Sequence, residues 1–95
     1  MQRERLTPDR IRRFSCPADA KQSFLWDTDA PRLAVRVTTG AKSFIFEAKL
    51  NRQTVRVTIG DVRAWNLDDA RAEARRLQTL IDQGIDPRQE KADKL

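Results

Sequence analysis

The chain has 95 residues, of which 19 are basic and 14 acidic, and it contains no histidine, no tyrosine and a single cysteine. This length allows one domain with one core, and the composition excludes histidine-based catalysis, a tyrosine nucleophile, an internal disulfide and, for want of a long apolar run, a membrane span. The net charge of +5 favours a polyanionic partner, and the lone Cys16 makes the reducing cytosol the expected compartment.

Two short elements are predicted in the N-terminal third. Thr7 suits a helix N-cap and Pro8 the first helical position, so a short helix is expected to begin there and to end before Cys16-Pro17. Farther along, Asp27 closes the apolar run 23–26, which we interpret as a short edge strand. Cys16 itself is expected to be a structural or incidental thiol.

Residues 33–60 carry the strongest pattern, an alternation of apolar and polar side chains in three successive runs. Such alternation is typical of strands that bury one face. Gly40 lies in the first connection and Asn51-Arg52 in the second, so two hairpins are expected. The apolar positions are Leu33, Val35, Val37, Phe44, Phe46, Ala48, Val55, Val57 and Ile59.

A register for both hairpins follows from matching apolar side chains across the strands, because a one-residue slip would turn them to the wrong face. With closure around Gly40-Ala41 and Asn51-Arg52, the predicted pairs are Val37 with Phe44, Val35 with Phe46, Phe46 with Val57, and Phe44 with Ile59. Since Arg52 is not the glycine that a two-residue primed turn prefers, we expect a longer second loop with the same register.

A longer helix is predicted to follow the strands. Asn66 is its expected N-cap, Gly84 the expected C′ residue of a Schellman ending, and Pro87 prevents continuation. One apolar stripe is formed by Leu67, Ala70, Ala74, Leu77 and Ile81. This stripe and the apolar sheet face are complementary and should pack together.

The predicted fold class is therefore α+β. It is a three-stranded antiparallel sheet packed on a C-terminal helix, with a short N-terminal helix and with 23–26 as an additional edge strand. We expect residues 1–87 to form the domain. Residues 88–95 are charged and lack periodicity, so we interpret them as a linker or tail.

The positive charge is concentrated in the first two thirds of the chain. Residues 1–22 and 23–60 each carry six basic and three acidic side chains, whereas residues 61–95 carry seven and eight. Much of the surplus falls on the sheet face opposite the helix and on its turns, where it suits contacts with phosphates and base edges in a DNA major groove. The candidate DNA-binding residues are Arg36, Thr38, Lys42, Ser43, Lys49, Arg52, Thr54, Arg56 and Thr58.

Structural roles compete with some of these assignments. Glu47 is expected opposite Arg56, and such a cross-strand ion pair is ordinary in sheets, so Arg56 suits structure and binding equally. Ile45 could contact a thymine methyl or pack beneath the stems of Arg36 and Lys49.

Two tryptophans and three aspartates favour structural explanations. Trp26 and Trp65 flank the sheet and are expected to anchor the core rather than to stack on bases. Asp27, Asp29 and Asp61 are better explained as turn formers than as metal ligands. We therefore expect no catalytic residue, no metal and no cofactor.

The order of these residues resembles the N-terminal arm-type DNA-binding domain of phage and genomic-island integrases, which are tyrosine recombinases. The resemblance covers nearly the whole chain and is carried by Leu6-Thr7, Ile11, Leu25-Trp26-Asp27, Leu33, Val35-Arg36-Val37-Thr38, Gly40-Ala41-Lys42-Ser43-Phe44, Val57-Thr58-Ile59-Gly60, Leu67, Ala70-Arg71 and Gly84-Ile85-Asp86-Pro87. It implies a three-stranded sheet backed by a helix, with the exposed sheet face in the major groove.

The same resemblance implies sequence-specific binding of double-stranded DNA at arm-type attachment sites, as the non-catalytic part of a site-specific integrase that acts in DNA integration and recombination. The core-binding and catalytic domains would follow residue 95, and the catalytic tyrosine would lie there. Partners would be duplex DNA and other integrase domains and protomers, with no membrane. The expected location is the bacterial cytoplasm, at the nucleoid when bound.

Two other functions stay open. A protein–protein module for recombinase assembly could use the polar helix face of Arg71, Arg75, Arg76, Gln78 and Thr79. A double-stranded RNA-binding module shares the order of elements, but it needs basic residues where this chain has Asp68 and Asp69 at the start of the second helix.

Overall fold

A computed structural model describes residues 3–15, 21–30 and 32–88 of the chain. Cys16 and residues 89–95, on which the thiol and most of the tail prediction depend, lie outside this part. The elements in order are β1 (Arg3–Glu4), α1 (Pro8–Arg13), β2 (Ser23–Asp27), β3 (Leu33–Val37), β4 (Lys42–Leu50), β5 (Gln53–Asp61) and α2 (Leu67–Asp82).

The sheet contains four antiparallel strands in chain order, β2-β3-β4-β5, and the two-residue β1 adds to β2 in parallel. The α+β class, the C-terminal helix and the short N-terminal helix are confirmed. The run 23–26, predicted as an additional edge strand, is a full strand of the sheet, because β2 pairs with β3 from Ser23 to Trp26. The sequence did not predict β1, which pairs with the other side of β2, so that β2 is not at the edge.

The predicted register of the first hairpin was wrong by two residues. Val35 pairs with Phe44 and Val37 with Lys42, so the loop holds four residues, 38–41. It is closed by a 2.9 Å hydrogen bond from the Thr38 amide to the Ala41 carbonyl. A shift of two residues keeps every side chain on its face, so apolar matching could not detect it.

The second hairpin has the predicted pairing near its turn but not at its far end. Phe46 pairs with Val57, whereas a bulge makes Phe44 pair with Gly60 instead of Ile59. The expected longer loop was also wrong, because Leu50 pairs with Gln53 directly around Asn51-Arg52. Both turn residues have positive φ, 52° and 69°, as a primed two-residue turn requires.

Helix α2 begins and ends as its sequence predicts. The Asn66 side chain accepts a 2.8 Å hydrogen bond from the Asp69 amide at the N-terminus. At the C-terminus, Gly84 has φ 78°, and the amides of Gly84 and Ile85 donate to the carbonyls of Ile81 and Leu80, which is the Schellman pattern.

The main core lies between α2 and the face of the sheet that we call the inner face. Ala70, Ala74, Leu77 and Ile81 are buried there as predicted, while Leu67 is half-buried at the margin. Their partners on the sheet are Leu25, Leu33, Val35, Val37, Phe44, Phe46, Ala48 and Val55, and Leu6 and Ile11 close the cluster from the N-terminal segment.

A buried ion pair ties the N-terminal segment to the core. Arg71 of α2 donates from Nε to Asp27 Oδ2 at 2.8 Å and from Nη2 to the Leu6 carbonyl at 2.9 Å. Asp27 is fully buried and also accepts from the amides of Leu6 and Ala30. Burial would raise the pKa of Asp27, but these bonds, that of Arg71 foremost, outweigh it and hold the pKa below its usual value.

Within the described ranges, no helix is both long and apolar enough to cross a membrane.

Candidate nucleic-acid interface

The outer face of the sheet, opposite α2, has an apolar centre that the sequence did not reveal. Phe24 and Trp26 of β2 lie on this face, where their rings stack with centroids 6.3 Å apart. Ala34 and Ile45 are fully buried on the same face. We call these four residues the outer patch. Trp26, which was expected to anchor the core, lies instead on the outer face, whereas Trp65 packs against the core as expected.

Three of the candidate cations have no acidic partner among the described residues. Arg36 pairs with Phe24 across the β2–β3 ladder, Lys49 stands near the end of β4, and Arg52 lies in the β4–β5 turn. Arg36 is half-buried, while Lys49 and Arg52 are exposed. Because no ion pair occupies them, their charge is available to a polyanion.

Arg56 lies on the same face but, unlike these three cations, has an acidic partner. Its Nη2 is 3.2 Å from Oε1 of Glu47, which is directly opposite on β4, as predicted. Its guanidinium carbon also lies 5.3 Å from the centre of the Phe24 ring. Since β3 and β4 separate β2 from β5, this contact carries the Arg56 side chain across the outer face.

The candidate hydroxyl residues divide into two groups. Thr54 and Thr58 are exposed on β5, opposite Lys49 and Ile45. Ser43 and Thr38 are half-buried, and the Thr38 hydroxyl donates to the Ala41 carbonyl within the first turn at 3.4 Å. Thr54 and Thr58 are therefore open to a ligand on the outer face, while Thr38 is engaged in its turn.

Lys42 does not share a face with the other candidates. It lies two residues before the buried Phe44 in β4, so its side chain is on the same side of the strand and points toward the inner face. Its Nζ donates to the carbonyls of Ile11 and Arg12 at 2.7 and 2.8 Å, which satisfies the C-terminal end of α1. The sequence contained this signal, because Lys42 precedes Phe44 by two residues.

The polar face of α2 is smaller than predicted. Arg71 was expected there, but its side chain is buried in the ion pair with Asp27. Arg76 pairs with Glu73, Gln78 donates to Asp82, and the Thr79 hydroxyl donates to the Arg75 carbonyl. Most polar groups of this face are thus engaged within the helix itself.

The aspartates of the metal alternative do not converge. Asp27 is in the buried ion pair, Asp29 accepts from Arg5 at 2.9 Å, and Asp61 forms a two-pronged pair with Arg63. The bonds from Arg63 lower the pKa of Asp61. In the parts of the chain that the structure covers, no three acidic or cysteine side chains are grouped as metal ligands would be.

Comparison with known proteins adds two findings. The family model described as Arm DNA-binding domain matches residues 6–94. The chain is also 55% identical over all its 95 residues to "Prophage integrase IntF" of Escherichia coli strain K12. The chain spans 20% of the length of that relative.

Proposed function

Because the chain belongs to the Arm DNA-binding domain family, we propose that it binds double-stranded DNA through its outer face, as the N-terminal part of a site-specific prophage integrase. In this role it holds arm-type attachment sites during integration and recombination in the bacterial cytoplasm, at the nucleoid. Cleavage and rejoining of DNA belong to other domains of the integrase, since this chain has neither tyrosine nor histidine.

The observation that carries the proposal is a set of cations on the outer face and its turn for which the described part of the chain offers no ionic partner. Arg36 and Lys49 lie on the outer face, which also holds the outer patch and the exposed hydroxyls of Thr54 and Thr58, and Arg52 lies in the turn that follows Lys49. A major groove admits a small sheet, lines its walls with phosphates and presents thymine methyls and base edges on its floor. The cations suit the phosphates, and the apolar and hydroxyl groups suit the thymine methyls and base edges.

Salt dependence tests this proposal. Replacing Lys49 and Arg52 by serine removes two cations that have no ionic partner among the described residues. The control Arg13→Ser/Arg75→Ser removes two exposed cations of the helices for which the same holds. The first variant should lower the salt slope of duplex binding by about two, since each phosphate contact contributes roughly 0.9. The control should keep the wild-type slope. Equal slopes for both variants would contradict the outer face as the binding surface.

A protein–protein module is the second candidate, in which partner domains or protomers would dock on α2. Of the cations on the predicted polar face, only Arg75 is exposed and without an ionic partner among the described residues, so this surface offers little charge to a partner. Sedimentation with and without DNA separates the two functions. A stable dimer in the absence of DNA would favour the protein–protein module.

A double-stranded RNA module is disfavoured by the start of α2. Asp68 and Asp69 are exposed in the first turn, where an RNA phosphate would meet two carboxylates. Competition between DNA and RNA duplexes of equal sequence tests this directly, and preference for the DNA is expected.

A further inference from the structure

The outer face contains an acidic side chain, Glu47, at a position where a negative charge would oppose the binding of a polyanion. Of the outward positions of β4, which are Ser43, Ile45, Glu47 and Lys49, only Glu47 is acidic. A carboxylate in a DNA groove weakens phosphate binding by repulsion. Its pairing with Arg56 is exposed enough, with 42% of the Arg56 side chain accessible, that it contributes little to folding. The location of Glu47 therefore calls for a role beyond stability.

Two contacts from different strands fix the position of the Arg56 guanidinium. Glu47 on β4 accepts from Nη2, and the Phe24 ring on β2 lies beneath the guanidinium carbon. The Phe24 ring is itself stacked against Trp26. An arginine held by a carboxylate and an aromatic face has lost most of its rotamer freedom before any ligand arrives.

An arginine held in this way is suited to read a base. A guanidinium has five N–H donors, and the hydrogen bond to Glu47 uses one of them. Two further donors can bind O6 and N7 of a guanine, the commonest specific contact in major grooves. Arg56 lies midway along β5, where an inserted sheet faces base edges, whereas Arg52 lies in a turn, where it faces a phosphate.

We infer that Arg56 reads a guanine in the DNA site and that Glu47 and Phe24 are the residues that position it. This inference rests on the proposed DNA binding and adds a division of labour to it. Arg36, Lys49 and Arg52, which have no ionic partner among the residues described, supply the sequence-independent attraction to phosphates. Arg56, whose charge is offset by Glu47, supplies discrimination between bases.

The test is selection of binding sites from short DNA duplexes with a random central segment, performed with the wild type, Arg56→Lys and the matched control Arg52→Lys. Lysine keeps the charge but cannot form the two-pronged contact. Arg56→Lys should lose the preference for guanine at one position by about 5- to 150-fold while keeping its preferences elsewhere. Arg52→Lys should select the wild-type motif.

The positioning residues are tested by the same selection. Glu47→Gln should bind random DNA at least as tightly as the wild type, because a negative charge is gone, yet should discriminate less at the same guanine. Phe24→Leu keeps an apolar side chain without a ring face and should weaken the same position. Thermal unfolding of each variant identifies any loss of fold, which would affect every position equally.

The outcomes distinguish a failure of base reading by Arg56 from a failure of the proposed DNA binding. If Arg56→Lys selects the wild-type motif unchanged, Arg56 is not the base-reading residue although DNA binding stands. If folded Glu47→Gln discriminates at the guanine as strongly as the wild type, Glu47 does not position Arg56. If the wild type binds no duplex, both fail. If it binds duplexes but enriches no motif, sequence reading by this domain is excluded.

Discussion

The two faces of the sheet treat positive charge in opposite ways. On the inner face, Arg71 is buried against Asp27 and Lys42 donates to the end of α1, so both cations hold elements of the fold together. On the outer face, Arg36, Lys49 and Arg52 have no ionic partner among the described residues. Net charge therefore does not identify a binding surface by itself; the partners of each cation do.

The largest effect is expected where a buried cation is removed. Arg71→Met leaves Asp27 as an uncompensated buried charge and should lower the free energy of unfolding by about 3–5 kcal/mol. The matched variant Arg75→Met, one turn along α2 and exposed, should change it by less than about 0.5 kcal/mol. Urea denaturation measures both. Similar losses in the free energy of unfolding for the two variants would mean that the Asp27–Arg71 pair does not stabilise the fold.

The same pair predicts a dependence of stability on acid. The pKa of Asp27 is lower in the folded protein than in the unfolded chain, so its contribution is fully present above about pH 4 and is lost as pH falls through the lowered folded value. The stability gap between the wild type and Asp27→Asn should therefore shrink on acidification. Urea denaturation over a pH series checks this, and a gap independent of pH would contradict it.

Two lysines of one strand should give opposite results. Lys42→Met removes the hydrogen bonds to the Ile11 and Arg12 carbonyls and should cost about 1–2 kcal/mol of stability. Duplex affinity of the folded protein should change little. Lys49→Met should leave stability unchanged and lower the salt slope of DNA binding by about one. Denaturation and binding titrations on both variants test the contrast. A lower salt slope of DNA binding in Lys42→Met would contradict it.

The smallest expected effect concerns the β4–β5 turn. Arg52 has φ 69°, which glycine adopts more easily, so Arg52→Gly should stabilise the domain by about 0.5–1 kcal/mol. It should also weaken duplex binding, because a cation that the described residues leave without an ionic partner is lost. Denaturation and binding measured together distinguish this from a purely structural role, in which affinity would be unchanged.

Local patterns predicted what depends on local chemistry. Alternation along β3–β5 assigned side chains to faces, and caps at Asn66 and Gly84 bounded α2, because both signals act within a few residues. The register of the first hairpin escaped prediction because a shift of two residues leaves the faces unchanged. The bulge at Ile59 was not predicted, because matching apolar side chains across two strands does not detect one extra, unpaired residue.

The site was harder to predict because it depends on contacts between distant segments. Asp27 and Arg71 are 44 residues apart, so neither residue reveals its partner in the sequence. Phe24 and Trp26 were placed on the outer face only once β2 was known to pair with β3. Lys42 could have been placed correctly from its spacing to Phe44, whereas its bonds to α1 could not.

The central claim is that the outer face, and not α2, carries the DNA. The most direct measurement is an NMR titration of the domain with a duplex recovered by site selection, followed through amide chemical shifts. Shifts are expected to concentrate on β3–β5, at and around Arg36, Lys49, Arg56 and Thr58, while residues 67–82 change little. Shifts concentrated on α2, with the strands unaffected, would contradict it.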